Sequence, residues 1–390
     1  MSDPHCRNFI PIAPLSRKNS SYPDAIGAWI AEMDYPIAPA ILDAVRRNVD
    51  ASLLSYVDGP IARQVIHATT VWLEQRFGYQ PPTGSVFLTG DIISGYESVL
   101  RVLSRSDAPV IVPTPAYHLL LHVPKTFARN LIELSCVIDD NGRYLIDYEL
   151  LDKLLEPGSV FVLTNPYNPV GQVYAREELE HLAQIIEAHD ALVFADEVHS
   201  PLILDPEAAH IPYASISEAA AEHSITAISA SKAFNVAGLK CAQLIIPGKR
   251  LRDIWQPYGF FYGDSTSRLG LYAAATAYLD PGCSQWLEGV LDRLRANLAF
   301  AQDLLARHNL AVVLTQHQAT YLLWLDLRAY RLGADAADHL LRHARVAVNN
   351  GAGYGKGYVG YVRLNLALEE ERLQEAVRRI SRILSEAEVI

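Results

Sequence analysis

Two patterns of apolar positions alternate along the first two-thirds of this chain. Short continuous runs, Val86-Phe87-Leu88-Thr89, Pro109 to Val112, Ser159 to Leu163, Ala191 to Ala195, Ser224 to Ile228 and Cys241 to Ile246, read as buried strands. Pro113 is expected to end the second of them. Between them lie stretches of helical spacing. Pro39 to Asp50 places Ile41, Leu42, Val45 and Val49 on one face, and Pro60 to Phe77, Ser94 to Leu103 and Arg176 to His189 also read as helices. Tyr56 to Gly59 reads as a turn. Continuous apolar strands separated by helices predict an α/β fold: a mostly parallel central sheet with helices on both faces.

Past about residue 265 the pattern changes. A helix-rich stretch runs from Thr266 to His308, followed by a strand at Thr320 to Leu325 and a helix from Ala334 to Arg345. Val346-Ala347-Val348, a last strand at Tyr361 to Leu366 and a charged terminal helix from Glu369 to Ser385 complete the chain. Three parts are therefore expected. An N-terminal segment, 1–40, irregular and with prolines at 4, 11, 14 and 23, packs with a small domain. A large domain covers 41–265, and a smaller α+β C-terminal domain covers 266–390.

With 390 residues, half of them hydrophobic, the chain can bury a large core. Its formal net charge of −11 disfavours nucleic acid and anionic lipid as partners and favours small-molecule chemistry. The N-terminus has no apolar signal core, and no apolar run approaches the roughly 20 residues that cross a bilayer. Four widely spaced cysteines, Cys6, Cys136, Cys241 and Cys283, read as free thiols in a reducing cytoplasm. The thirteen histidines show no ligand-type pairing, so no metal is expected.

The candidate chemistry centres on Ser229-Ala230-Ser231-Lys232, a polar turn of small residues between two apolar runs. A lysine held among small and apolar neighbours loses its proton more easily than a solvated one. Such an amine can attack a carbonyl and form a Schiff base. The nearby hydroxyls and Lys240 suit a phosphate. These are the requirements of a pyridoxal phosphate (PLP) site. Two further strands end in polar groups: Thr164-Asn165-Pro166-Tyr167-Asn168-Pro169-Val170-Gly171, which as turn chemistry alone would also be unremarkable, and Ala195-Asp196-Glu197-Val198-His199. A carboxylate such as Asp196, facing a pyridine nitrogen, keeps it protonated and the ring electron-accepting. His199 could pack against such a ring or be a satisfied core histidine. All of these follow the carboxyl ends of expected strands, the edge where open α/β sheets bind ligands.

The order Asn168, Asp196, Lys232 resembles the fold type I PLP enzymes of the aspartate aminotransferase superfamily. Trp29-Ile30-Ala31-Glu32-Met33-Asp34, Pro113-Thr114-Pro115-Ala116-Tyr117, Asp196-Glu197-Val198-His199, Ser231 to Leu239 and Val362-Arg363-Leu364-Asn365 look like its cystathionine β-lyase-like C–S lyase subgroup. The resemblance implies that Lys232 binds the cofactor and moves the Cα proton, that Asp196 holds the ring nitrogen, and that Asn168 bonds the ring hydroxyl. It implies that Tyr117 stacks on the ring. Ser229, Ser231, Lys240 and the backbone at Gly90-Asp91-Ile92 would hold the phosphate, with Tyr56 reaching in from a neighbouring subunit of a homodimer. Arg363 would bind the substrate carboxylate. The chain departs from the subgroup at Asn19-Ser20-Ser21-Tyr22, where a Lys-Trp pair is usual, at Asp91, where an apolar residue is usual, and at Asn349-Asn350, where Ser-Pro is common. A carboxylate at Asp91 would repel a phosphate, so it is expected to point away or to cap the helix. Tyr22, Asn349 and Asn350 are candidate substrate contacts, and cystathionine itself is not expected to be the main substrate.

The implied reaction is α,β-elimination from an S-substituted cysteine, giving a thiol, pyruvate and ammonia. The same parts could run transamination. They could also run the decarboxylating oxidative deamination of an S-cysteinyl conjugate, as in lincosamide-type antibiotic pathways. A PLP-binding regulator acting by protein contact is a further reading, against which loss of the biological effect in Lys232→Ala would count.

Overall fold

The computed structural model describes residues 16–389 apart from 58, 308–312, 315 and 334. Cys6, the prolines at 4, 11 and 14, Asp58 within the predicted turn, and the predicted element boundaries at His308 and Ala334 lie outside the described residues.

Seven strands form the larger sheet: β1 (Val86–Thr89), β2 (Val110–Thr114), β3 (Leu131–Ser135), β4 (Val160–Thr164), β5 (Leu192–Asp196), β6 (Ser224–Ile228) and β7 (Ala242–Ile245). Their spatial order is β1-β7-β6-β5-β4-β2-β3. β2 through β6 pair in parallel, while β7 runs antiparallel to both β1 and β6. Side chains alternate faces along a strand. Val110, Val112, Val160, Val162, Leu192 and Phe194 pack on one side with Tyr96, Val99 and Leu100. Ile111, Phe161, Leu163, Val193 and Ala195 pack on the other with Leu179, Leu182 and Ile186. Both faces are thus apolar, which is why these strands are continuous apolar runs. β2 continues through Pro113 to Thr114, beyond the expected end. Its pairing with β4 is confined to Val110 and Ile111, so the missing N–H of Pro113 breaks no ladder bond on that side.

The helices most relevant to the site are α1 (Pro39–Asp50), α2 (Gly59–Phe77), α3 (Ile92–Val102), α4 (His118–Thr126), α5 (Lys249–Gly263), α6 (Arg268–Leu279), α7 (Pro281–Arg307) and α8 (Glu370–Glu386). Pro39 opens α1 at its first turn, where its missing N–H costs nothing. α8 buries the stripe Leu373, Ala376, Val377, Ile380 and Leu384.

A second sheet, antiparallel, has the order β8 (Val313–Leu314), β9 (Leu322–Asp326), β11 (Tyr361–Asn365), β10 (Asn349–Asn350). Arg363 stands opposite both Trp324 and Asn349 in its registers. The N-terminal segment joins this part of the molecule through Ile26–Gly27, which pairs in parallel with Val346–Ala347. Gly27 is required there: a Cβ would collide with the carbonyl of Lys18. Beneath it Lys18 and Asp34 form an ion pair at 3.0 Å with essentially no exposed side chain. No helix among the described residues is long and apolar enough to cross a membrane.

Candidate active site

The carboxyl edge of the large sheet gathers the polar groups. β4 ends at Thr164 and β5 at Asp196, opposite each other in register. β6 ends at Ile228, and Ser229 then caps a one-turn helix, Ala230–Ala233, by accepting from the Ser231 N–H at 3.1 Å. Lys232 therefore sits on a helical turn rather than on an irregular one. β2 leads through Thr114 to Tyr117, which precedes α4. The peptide bonds before Pro115, Pro166 and Pro169 are cis.

The Lys232 amine donates to the Ala31 carbonyl at 3.2 Å. The residue is half-buried. Burial nonetheless lowers its pKa to about 8, assisted by the positive charge of Arg363 and opposed by Asp196 and Glu32. Asp196 is buried; its carboxylate accepts from the Val198 N–H at 3.2 Å. It forms no ion pair among the described residues, and burial pushes its pKa up to about 6 despite the pull of Lys232. His199 is buried and held neutral, first by desolvation and then by the charges of Lys232 and Arg363. Its Nδ1 has no hydrogen-bond partner among the described residues.

Arg363 closes the site from the second sheet. It is 3% exposed. Its Nη1 donates to Asn168 Oδ1 at 3.0 Å, and its Nη2 to Asn349 Oδ1 at 2.8 Å and to the Trp29 carbonyl at 3.1 Å. Its Nε is buried, with no hydrogen-bond partner among the described residues. Its guanidinium carbon lies 5.2 Å from the Tyr354 ring centroid. The phenol of Tyr117 is raised in pKa by burial, with Arg363 opposing, which places the two in one electrostatic neighbourhood.

The remaining predicted residues separate into groups. Asp91 caps α3, accepting from the Ser94 N–H at 2.7 Å, as expected of a carboxylate at that position; it also pairs with Lys240 at 2.6 Å. The Gly90 N–H donates to Ser265 Oγ at 3.1 Å, and Ile92 begins the helix. Ser229 Oγ donates to the Cys241 carbonyl at 2.7 Å. Asn349 touches Arg363, whereas Asn350 turns its side chain to cap the following turn through the Ala352 N–H. Tyr22 lies edge-on to Trp29 at 5.8 Å. Tyr56 is 88% exposed in the single chain, and its carbonyl accepts from Arg268 Nη1 at 2.8 Å.

Sequence reasoning did not assign the irregular strap 29–33 its role as a backbone hub. The carbonyl of Trp29 accepts from Arg363, that of Ile30 from Asn365, and that of Ala31 from both Lys232 and Tyr321. The carbonyl of Glu32 accepts from Lys18 and Asn365, and that of Met33 from Asn235. Tyr321, Asn235 and Asn365 carry no sequence signal for this, because their partners are backbone atoms some 200 or more residues away.

The residues suit PLP. A buried carboxylate without a cation can face a ring nitrogen, the orphaned His199 Nδ1 and Arg363 Nε can accept or donate inward, and Lys232 offers a readily deprotonated amine. A helix N-terminus with adjacent hydroxyls and Lys240 can take a phosphate.

Residues 30–380 match the family Aminotransferase class I and II. The chain is 32% identical over 362 residues to the cystathionine beta-lyase of Corynebacterium glutamicum, covering 93% of this chain and 94% of that protein. A solved structure from Corynebacterium diphtheriae, assigned as a PLP-dependent beta-cystathionase, superposes with a TM-score of 0.88 at 32% identity, covering 96% of this chain and 97% of the other. Cystalysin from Treponema denticola, whose structure contains pyridoxal 5'-phosphate, gives a TM-score of 0.87 at 25% identity, with 95% and 96% covered.

Proposed function

The chain belongs to the aminotransferase class I and II family and is a PLP-dependent carbon–sulfur β-lyase, and from this premise we propose that it cleaves the Cβ–S bond of an S-substituted cysteine. With one water consumed, the products are a thiol, pyruvate and ammonia. The observation that carries the reading is that two cations meet on one strap of backbone: Lys232 donates to the Ala31 carbonyl at 3.2 Å and Arg363 to the Trp29 carbonyl at 3.1 Å. Lys232 supplies an amine near its pKa at neutral pH, and Arg363 supplies a guanidinium anchored at three points.

Lys232, Asp196, Asn168, Tyr117 and His199 would hold the cofactor's ring. Ser229, Ser231, Lys240 and the backbone at Gly90, Asp91 and Ile92 would hold its phosphate. When bound, the cofactor supplies an electron sink for charge left on Cα. Lys232 removes the Cα proton, a task suited to an amine whose pKa lies near the working pH. Arg363 binds the substrate carboxylate by a bidentate, charge-assisted pair. Fixing the carboxylate keeps it in place while the Cα–H bond is presented to Lys232, which favours proton removal over decarboxylation. Asn349, which helps hold Arg363, tunes that grip.

The working unit is a homodimer with shared sites. Tyr56, Phe260 and Phe261 are 88%, 86% and 73% exposed on one chain, an unusual outlay of aromatic surface that a partner would cover. A cytoplasmic setting suits the free thiols of Cys136, Cys241 and Cys283. The test of the cofactor assignment is spectroscopic. Purified protein supplied with PLP acquires a visible absorption band, and Lys232→Ala does not; a band that persists in that variant overturns the assignment of Lys232.

A further inference from the structure

The pocket that would receive the cofactor's phosphate already contains an anion of its own. Asp91 Oδ1 caps α3 through the Ser94 N–H at 2.7 Å, and Asp91 Oδ2 takes the Lys240 ammonium at 2.6 Å. One carboxylate thus occupies both kinds of donor that bind a phosphate at such a place: a helix N-terminal amide and a cation. Three further donors are also engaged internally. The Gly90 N–H is given to Ser265 Oγ, the Ser229 hydroxyl to the Cys241 carbonyl, and the Ser231 N–H to Ser229 Oγ. The hydrogen bonds to Lys240 and Ser94 outweigh burial and hold Asp91 below the usual carboxylate range, so it is ionised at neutral pH.

Resting on the PLP assignment above, we infer that Asp91 is an internal competitor for the phosphate, a carboxylate that sets how tightly this chain holds its cofactor. In the cofactor-free chain it satisfies Lys240 and the start of α3. A bound phosphate must draw Lys240 away from Asp91 and then sit beside a fixed negative charge. Both effects oppose binding, and both act on the phosphate rather than on the ring. The chain therefore exchanges cofactor more readily than it would with a neutral residue at position 91.

The pair is partly solvent-exposed, 56% for the Lys240 side chain and 35% for Asp91. The effect is accordingly modest and salt-dependent. Asp91→Asn retains a side chain that caps a helix well and removes only the charge. Asp91→Ser does the same with a shorter group and guards against a particular defect of the Asn side chain.

The test is a spectrophotometric titration of the cofactor-free dimer with PLP and with pyridoxal, which lacks the phosphate, at low and high salt. Asp91→Asn and Asp91→Ser should bind PLP about tenfold more tightly than the parent at low salt, with the gain shrinking at high salt. Pyridoxal affinity should not change. Equal or weaker PLP binding in both variants overturns the inference, as does an equal gain for pyridoxal. Failure of the parent itself to bind PLP contradicts the functional assignment instead, so the two failures are distinct.

Discussion

Arg363 and Asn168 meet at 3.0 Å, and their contact joins the second sheet to the loop that follows β4. The guanidinium comes from a strand of the small sheet and the amide from the carboxyl edge of the large one. The residue assigned to the substrate carboxylate is thereby held by a residue assigned to the cofactor ring.

Truncating Arg363 should therefore hurt binding and geometry together. Arg363→Ala should lower kcat/KM by about 10²- to 10³-fold, in keeping with loss of a charge-assisted bidentate pair. Arg363→Lys should restore little, since a point charge cannot bridge Asn168, Asn349 and the Trp29 carbonyl at once. Steady-state kinetics on an S-alkyl cysteine check this; near-complete rescue by lysine would contradict the assigned geometry.

Asp196 makes the cofactor-free chain sensitive to acidity in an unusual sense. Its pKa is raised to about 6 from an ordinary value of 3.8, so the folded chain binds more protons than the unfolded one between these values. Its contribution to stability is present below about pH 4 and is lost as pH rises toward about 6. Denaturation of the cofactor-free protein at several pH values should show this slope, and Asp196→Asn should flatten it. In the loaded enzyme the same substitution should lower turnover by at least about 10²-fold, since an amide does not hold a ring nitrogen protonated.

Lys232 titrates near the middle of the accessible range. Only the neutral amine is a nucleophile, so the rate of cofactor uptake should fall as pH drops below about 8. Stopped-flow absorbance across pH 6 to 9 (an approximate working range) checks it. A rate that climbs about tenfold per pH unit through the whole window, with no sign of levelling near pH 8, would show that the amine is not depressed.

The Lys18–Asp34 pair anchors the strap that crosses the site. Lys18→Met leaves the buried Asp34 carboxylate with the longer contacts to Asn19 at 3.4 Å and Arg372 at 3.9 Å, and should cost about 3 kcal/mol, read as a fall in denaturation midpoint. Adding Asp34→Asn should recover part of the loss. If the single substitution is neutral, the pair does not support the strap.

The sequence displays six of the seven strands of the large sheet, because strands buried on both faces must be continuous apolar runs, as at Phe161 to Leu163 and Val193 to Ala195; it does not display the edge strand β3, LIELS, whose residues are mostly half-buried and include Glu133 and Ser135. The groups at strand ends, Asn168, Asp196 and Lys232, are legible for the same reason: each directly follows such a run. Helix α5 is less legible, since Pro257, Gly259 and Gly263 interrupt its spacing. The same holds for α4, which contains Pro124. The strap 29–33 is hidden for a different reason. Its importance lies in its carbonyls, which every residue has, and only the distant donors Arg363, Asn365, Lys232, Tyr321 and Asn235 single it out. The opposite fates of Asn349 and Asn350 likewise follow from strand register, since only Asn349 stands opposite Arg363.

The most direct test of the account is product analysis after incubation of the PLP-loaded enzyme with S-alkyl cysteines. The account predicts free thiol, pyruvate and ammonia in equal amounts, all abolished in Lys232→Ala. Carbon dioxide with an aldehyde, or an oxo acid that retains its sulfur substituent, would contradict it and assign the same residues to decarboxylation or to transamination.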